Sequence, residues 1–188
     1  MLNLPPQFIL FDTEFTAWEG SKERGWTGPN EYKEIVQIGA IKVETKTLAE
    51  LDSFQILVKP KINPVLSDYF INLTGINQDE VDKEGVDFST AVAGFKEWCQ
   101  NLPLYCFGSD ARILEENCKL LSISFPFLPT QFNNIKDFFK SYGVPADNYY
   151  SSTIVEFFNV APSRQGHDSL NDVRTLLDAL KELNKSTI

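Results

Sequence analysis

A chain of 188 residues with one histidine, His167, and three cysteines, Cys99, Cys106 and Cys118, has little soft-ligand chemistry to offer. The cysteines are odd in number and lack metal-ligand spacing. Buried free thiols in a reducing cytosol are the expectation, and with them a cytoplasmic protein. No apolar stretch approaches the roughly 18 residues of a membrane span, so no membrane partner is expected. The first residues lack a basic segment followed by a long apolar one, so no signal peptide is expected either. Excess positive charge is also missing. Seventeen basic residues against 26 acidic ones give a net charge of −9, which argues against a broad basic surface for nucleic acid. Nor is there an internal repeat, a low-complexity tract or an interdomain linker, so residues 1–188 are expected to form one domain. At 43% hydrophobic and with 15 Phe, that domain can bury a sizeable core.

What is present is ordered. "QFILF", residues 7–11, follows two prolines and reads as a buried strand. Residues 35–44 and 53–60 predict two more strands, joined through "TLAELD" as an antiparallel hairpin. Short helices are expected within 63–70 and 77–82, separated by "LTGI". A longer helix over 88–102 would be capped by Ser89 or Thr90. "PLYCFG" predicts a strand feeding a helix from Ser109 to about Leu121, and residues 131–143 predict a strand and then a helix ended by Gly143. A short helix over 153–158 precedes a long final one. Three strands followed by alternating helix and strand imply an α/β fold: a mixed sheet flanked by helices, antiparallel over its first three strands and parallel afterwards.

Asp12 and Glu14 follow the first strand one residue apart. Side chains alternate along a strand, so both carboxylates leave the same face. Such a pair repels unless a cation sits between them, and hard divalent metals are held by carboxylate oxygens. A solvated turn with two incidental acids is the plain alternative. In the last helix Leu170, Val173, Leu176, Leu177, Leu180 and Leu183 form one stripe. Asp172 lies on the shoulder of that stripe, roughly 85° from its centre, whereas Asp168 is turned roughly 125° away. Asp172 is therefore the better site candidate, although Ser169-Leu-Asn-Asp172 also fits a capping box. His167 stands at the loop-to-helix junction, as a solvated loop residue or as a general base titrating near neutral pH. Asp110 opens the helix after "YCFG", at a strand end where ligands collect, or serves the helix dipole alone.

In order, these are a strand-end Asp-x-Glu, a strand-to-helix Asp and a His-x4-Asp opening the last helix. The set resembles the DEDDh family of 3′–5′ exonucleases, which share a ribonuclease H-like fold. The resemblance runs from about Phe8 to Leu183. "DTEFTAWE", "EIVQIGAIKVE", "FQILVKPKINPVLSDYFINLTGI" and "CFGSDARILEEN" are similar to the subgroup of histone-mRNA-trimming, RNA-interference-regulating and sporulation-inhibitor-like exonucleases. Ala17 stands where that subgroup often has Cys, Gln37 where an acid is common, and Asn171 where a second Asp is frequent.

The resemblance implies a metal-dependent 3′–5′ exonuclease that releases nucleoside 5′-monophosphates. Asp12, Glu14, Asp110 and Asp172 would hold two Mg²⁺ or Mn²⁺ ions, with Asp12 shared and Asp110 acting partly through water. His167 would take the proton of the attacking water. Single-stranded 3′ ends are the implied partner, RNA slightly ahead of DNA, since an acidic chain suits few phosphate contacts. Phe15 and Thr16 would meet the terminal sugar or base, and Thr74, Gly75 and Ile76 would line its pocket. Trp18 and Trp26 are expected to cover the core edge rather than stack on bases, and Arg164 to be solvated rather than to steer phosphate. A hydrolase of short oligonucleotides or small phosphodiesters, and a catalytically silent binding adaptor, are the rival expectations.

Overall fold

The computed structural model describes residues 2–186. Five strands form one sheet: β1 (Gln7–Phe15), β2 (Ile35–Glu44), β3 (Ala49–Leu57), β4 (Leu104–Cys106) and β5 (Phe132–Asn134), in the order β3-β2-β1-β4-β5. β1, β2 and β3 pair antiparallel, while β4 and β5 continue parallel to β1. The helices are α1 (Asp68–Thr74), α2 (Gln78–Glu84), α3 (Phe88–Cys99), α4 (Asp110–Leu120), α5 (Ile135–Ser141) and α6 (Ser169–Ser186).

The unbroken apolar run of β1 follows from its central place, where both faces of the strand are covered. Phe8 and Leu10 join α5 and α6 on one side, with Ile135, Phe139, Val173, Leu176, Leu177, Leu180 and Leu183. Ile9 and Phe11 join α3 and α4 on the other, with Val92, Phe95, Ile113 and Leu114. The even-numbered side of β1 therefore faces α6. Asp12 and Glu14 continue that side beyond the apolar stretch, and the acids end under the start of α6.

Several elements depart from their sequence-based bounds. β1 runs on to Phe15, so Asp12 and Glu14 lie within it rather than after it. β3 begins and ends earlier than residues 53–60, because it is an edge strand whose Glu50 and Asp52 face solvent; an apolar-run criterion starts too late on such a strand. α1 starts at Asp68 under a Ser67 cap and runs into "LTGI", so that Gly75, with φ 78°, terminates it. α3 is capped by Asp87, not Ser89 or Thr90. The Asp87 carboxylate accepts from Thr90 N at 2.9 Å and Thr90 Oγ1 at 2.8 Å, and these bonds with that from Ser89 hold it down at about 2. The three cysteines are buried free thiols, and burial pushes Cys99 and Cys106 up to about 12.

Candidate active site

Helix α6 meets the sheet at Gly39 of β2, the residue paired with Asp12 across the ladder. A Cβ on Gly39 would stand 2.4 Å from Leu170 N and 2.4 Å from Ser169 Oγ, so only glycine admits the helix start this close. Gln37, one strand pair away, fixes the orientation. Its Oε1 accepts from Ser169 N at 2.9 Å and from Ser169 Oγ at 2.7 Å. Its Nε2 donates to Asp168 Oδ2, as does Gln55 Nε2, while Asp168 Oδ1 accepts from Asn171 N at 2.9 Å. Asp168 is thus the cap of α6. The capping box expected at Ser169 and Asp172 does not form, because the Ser169 hydroxyl is committed to Gln37.

Released from capping, Asp172 points into the sheet. Its carboxylate oxygen and one each from Asp12 and Glu14 lie within 4.8 Å of one another. Asp172 Oδ2 accepts from Ser151 Oγ at 2.9 Å. Its Oδ1 is buried with no hydrogen-bond partner. A buried carboxylate oxygen without a donor is costly, and a cation shared with Asp12 and Glu14 would satisfy it. The donor set, all carboxylate oxygen, suits a hard divalent ion. Asp110 joins from the far side of β1. Its Oδ1 accepts from Thr13 N at 3.2 Å and Thr13 Oγ1 at 2.7 Å, which fixes the carboxyl at the start of α4.

The electrostatics agree with the geometry. Burial pushes Asp12 and Glu14 well above the ordinary carboxylate range, and the neighbouring acids push them further. Burial raises Asp172 to about 7, opposed by the bond from Ser151 and by the nearby backbone N–H of His167. Asp110 is also raised by burial, with the Thr13 bonds opposing it. Each of these acids therefore binds a proton more readily than a free carboxyl does.

His167 lines the same cleft, of about 350 Å³, as Asp12, Glu14, Asp110 and Asp172. Its backbone is left-handed, with φ 61°, and the residue before it is tightly constrained. A Cβ on Gly166 would come within 2.8 Å of Ser152 Cβ, so the chain turns against the 151–152 segment only with glycine there. Burial, and then the charge of Lys22, hold the imidazole below its ordinary value. It is therefore neutral, able to accept a proton, at neutral pH.

The residues expected to meet the sugar and base are placed differently. Phe15 lines the cleft, packed on Trp26 at 5.5 Å between ring centroids. Thr16 does not reach it, because its hydroxyl donates to Tyr32 O at 2.5 Å and accepts from Glu34 N at 3.0 Å. Thr74, Gly75 and Ile76 line a second cavity of about 530 Å³, with Gln37, Gln165, Asp168 and Asn171. The Thr74 hydroxyl is used within α1, donating to Phe70 O and accepting from Ile76 N. Tyr69 and Leu73 of that helix line the carboxylate cleft instead. Trp26 borders the cleft too, its indole N–H donating to Thr16 O at 3.0 Å, and Arg164 pairs with Asp178 at 2.6 Å. Thr13, Ser151, Lys22, Lys33 and Tyr150 are site residues that sequence patterns did not single out. A hydroxyl beside a motif acid, at Thr13, was the one available signal.

Known proteins resemble this arrangement along most of its length. The mouse (Mus musculus) 3′-5′ exoribonuclease 1 is 29% identical over 182 residues, covering 89% of this chain and 50% of that protein. The human (Homo sapiens) 3′-5′ exoribonuclease 1 is 28% identical over 181 residues, covering 89% of this chain and 49% of its own. This chain thus spans about half the length of those relatives. Among solved structures, the nuclease domain of 3′hExo, a DEDDh family member bound to rAMP, superimposes with a TM-score of 0.83 at 26% identity. It covers 98% of this chain and 95% of its own. A 3′-exonuclease solved for its 3′-end specific recognition of histone mRNA stem-loop gives 0.77, also at 26% identity, covering 96% of this chain and 64% of its own. The profile of the exonuclease family (RNase_T) matches residues 9–180, from within β1 to the fourth turn of α6, and this chain belongs to that family.

Proposed function

We propose that this chain hydrolyses the terminal phosphodiester at the 3′ end of single-stranded nucleic acid and releases nucleoside 5′-monophosphates. The observation that carries this is the cluster of three buried carboxylates, Asp12, Glu14 and Asp172, each offering an oxygen within 4.8 Å of the others. Asp12, Glu14 and Asp172, with Asp110 beside them, would hold divalent cations, Mg²⁺ or Mn²⁺. When bound, such ions supply a water of lowered pKa and a positive contact for the leaving 3′ oxygen. His167 takes the proton of the attacking water, a task its depressed pKa allows at neutral pH. Gln37, Gln55 and Asn171 hold Asp168, and with it the turn that presents His167. Phe15 and Leu73 give the terminal nucleoside an apolar wall.

RNA is the preferred substrate in this reading, because relatives carry the name exoribonuclease and one structural neighbour was solved bound to rAMP. Three buried thiols suit a reducing compartment such as the cytoplasm. Among the described residues no helix is long and apolar enough to cross a membrane. The net charge of −9 favours one second reading, a hydrolase of very short oligonucleotides or small phosphodiesters.

The test uses 5′-labelled RNA and DNA oligomers with Mg²⁺ or Mn²⁺, run against the wild-type chain, Asp12→Ala and His167→Ala. A ladder shortening from the 3′ end, lost in both variants, is the expected result. Turnover of dinucleotides with a 20-mer left intact would favour the second reading. No turnover of either by the folded, metal-supplied chain would leave a silent adaptor.

A further inference from the structure

An acidic cluster needs help to admit a phosphate chain, and two lysines at its rim are held against aromatic rings rather than carboxylates. Among the described residues, ten Lys and Arg side chains form ion pairs. Lys22 and Lys33, the two that line the carboxylate cleft, are not among them. The Lys22 ammonium donates to Tyr150 OH at 2.6 Å and stands 4.3 Å from that ring's centroid. The Lys33 ammonium stands 4.3 Å from the Trp26 centroid and 5.8 Å from that of Phe15. An aromatic face attracts a cation without neutralising it, so each ammonium keeps its charge available to an anion. Burial, and then Arg112, push Lys33 below its ordinary value, with the charge of Glu116 opposing them.

The supporting loop is stiff. Arg24 pairs with Glu31, Gly28 N donates to Glu31, and Trp26 is tied to Thr16 O. At its base the buried Glu34 carboxylate accepts from Lys61 N, Ile62 N and Asn63 N at 2.7–2.8 Å. The rim cations are therefore placed in advance, one against the 17–33 loop itself and one reaching across to Tyr150.

We propose that Lys22 and Lys33 bind phosphates of the strand beyond the one being cleaved, which makes a single-stranded oligonucleotide, rather than a small phosphodiester, the ligand this cleft is built for. The assignment rests on the nuclease reading above and names its substrate class. The scissile phosphate belongs over the carboxylates. Two further cations, each on its own ring, serve a ligand with more phosphates than one.

The test measures equilibrium binding of 5′-fluorescein oligo(U) dimer and hexamer by anisotropy, with Mg²⁺ present, in a His167→Ala background that blocks turnover. Lys22→Met and Lys33→Met keep the aliphatic stems. Lys119→Met, on α4 at the opposite end from Asp110, removes the same charge elsewhere. Each rim variant is expected to weaken hexamer binding about tenfold. The slope of log affinity against log salt should flatten by about 0.7 for each lysine. Dimer binding and Lys119→Met should match the background. An unchanged hexamer affinity and slope, or an equal loss on the dimer, would overturn the assignment. Lys22 is exposed, so Lys22→Met carries the test if Lys33→Met unfolds. The two readings separate cleanly. A wild-type chain that shortens oligomers while the lysine variants bind like the background sinks the lysine assignment alone. A wild-type chain that neither binds nor shortens the hexamer sinks the nuclease reading and this one with it.

Discussion

The floor of the cleft and its rim are built by opposite means. On the floor, Asp12 and Glu14 lie on a central strand buried on both faces, and Asp172 on a helix seated directly on Gly39. Their positions follow from backbone ladders and packing, which leave a side chain little freedom. At the rim, Lys22, Lys33, Trp26 and Tyr150 come from loops, placed by ring contacts and single hydrogen bonds. The difference separates tasks. Like charges crowded in a dry place need a rigid frame, whereas contacts to a mobile strand tolerate adjustment. Damage to the floor should therefore abolish chemistry, and damage to the rim should weaken binding.

The largest effects belong to the floor. His167→Ala is expected to lower kcat about 10²–10⁴-fold, and Asp12→Ala at least as much, with the fold intact by circular dichroism. Turnover surviving in Asp12→Ala would break the contrast outright. Next comes the seat of α6. Gly39→Ala forces a methyl into Leu170 and Ser169 and is expected to destabilise the protein by about 1–3 kcal/mol, read by urea unfolding. Thr13→Val and Ser151→Ala remove the hydroxyls that orient Asp110 and Asp172; each should cost about 10–100-fold in metal affinity with little change in melting temperature.

A subtler effect concerns pH. Asp12, Glu14, Asp110 and Asp172 each bind a proton more tightly folded than unfolded, so metal-free protein should lose stability as pH rises from near 4 to about 7. Melting temperature against pH, with and without Mn²⁺, reads this directly. The metal-free curve should slope down over that range, added metal should lift its upper end, and Asp12→Asn should flatten it. A metal-free melting temperature that climbs from pH 4 to 7 would show that the cluster is not under the repulsion described.

How much of this was legible in sequence follows the same division. The β1 acids and the α6 stripe could be read because strand and helix periodicities fix which residues share a face, and all six stripe residues pack as expected. The α6 cap could not, since Asp168-x-x-Asn171 and Ser169-x-x-Asp172 overlap in frame and the choice is made by Gln37, 132 residues away from Ser169. The bond by which Thr13 holds Asp110 spans 97 residues, and the hydroxyl's place beside Asp12 is its one local mark. "LTGI" read as a turn because its glycine is conspicuous, yet α1 runs through Thr74 and spends that hydroxyl internally. Lys22 and Lys33 look like any solvated lysines until Tyr150 and Trp26 are brought beside them.

Calorimetric titration of Mn²⁺ into the metal-free protein at about pH 6.5, repeated in two buffers of different ionisation enthalpy, tests most directly whether the buried carboxylates form a cation site. Binding should release protons, because an Asp172 carboxyl raised to about 7 is largely protonated there, and Asp172→Asn should lose both the affinity and the release. Binding that releases no proton and is indifferent to Asp172→Asn, or no binding to the folded chain, would contradict it.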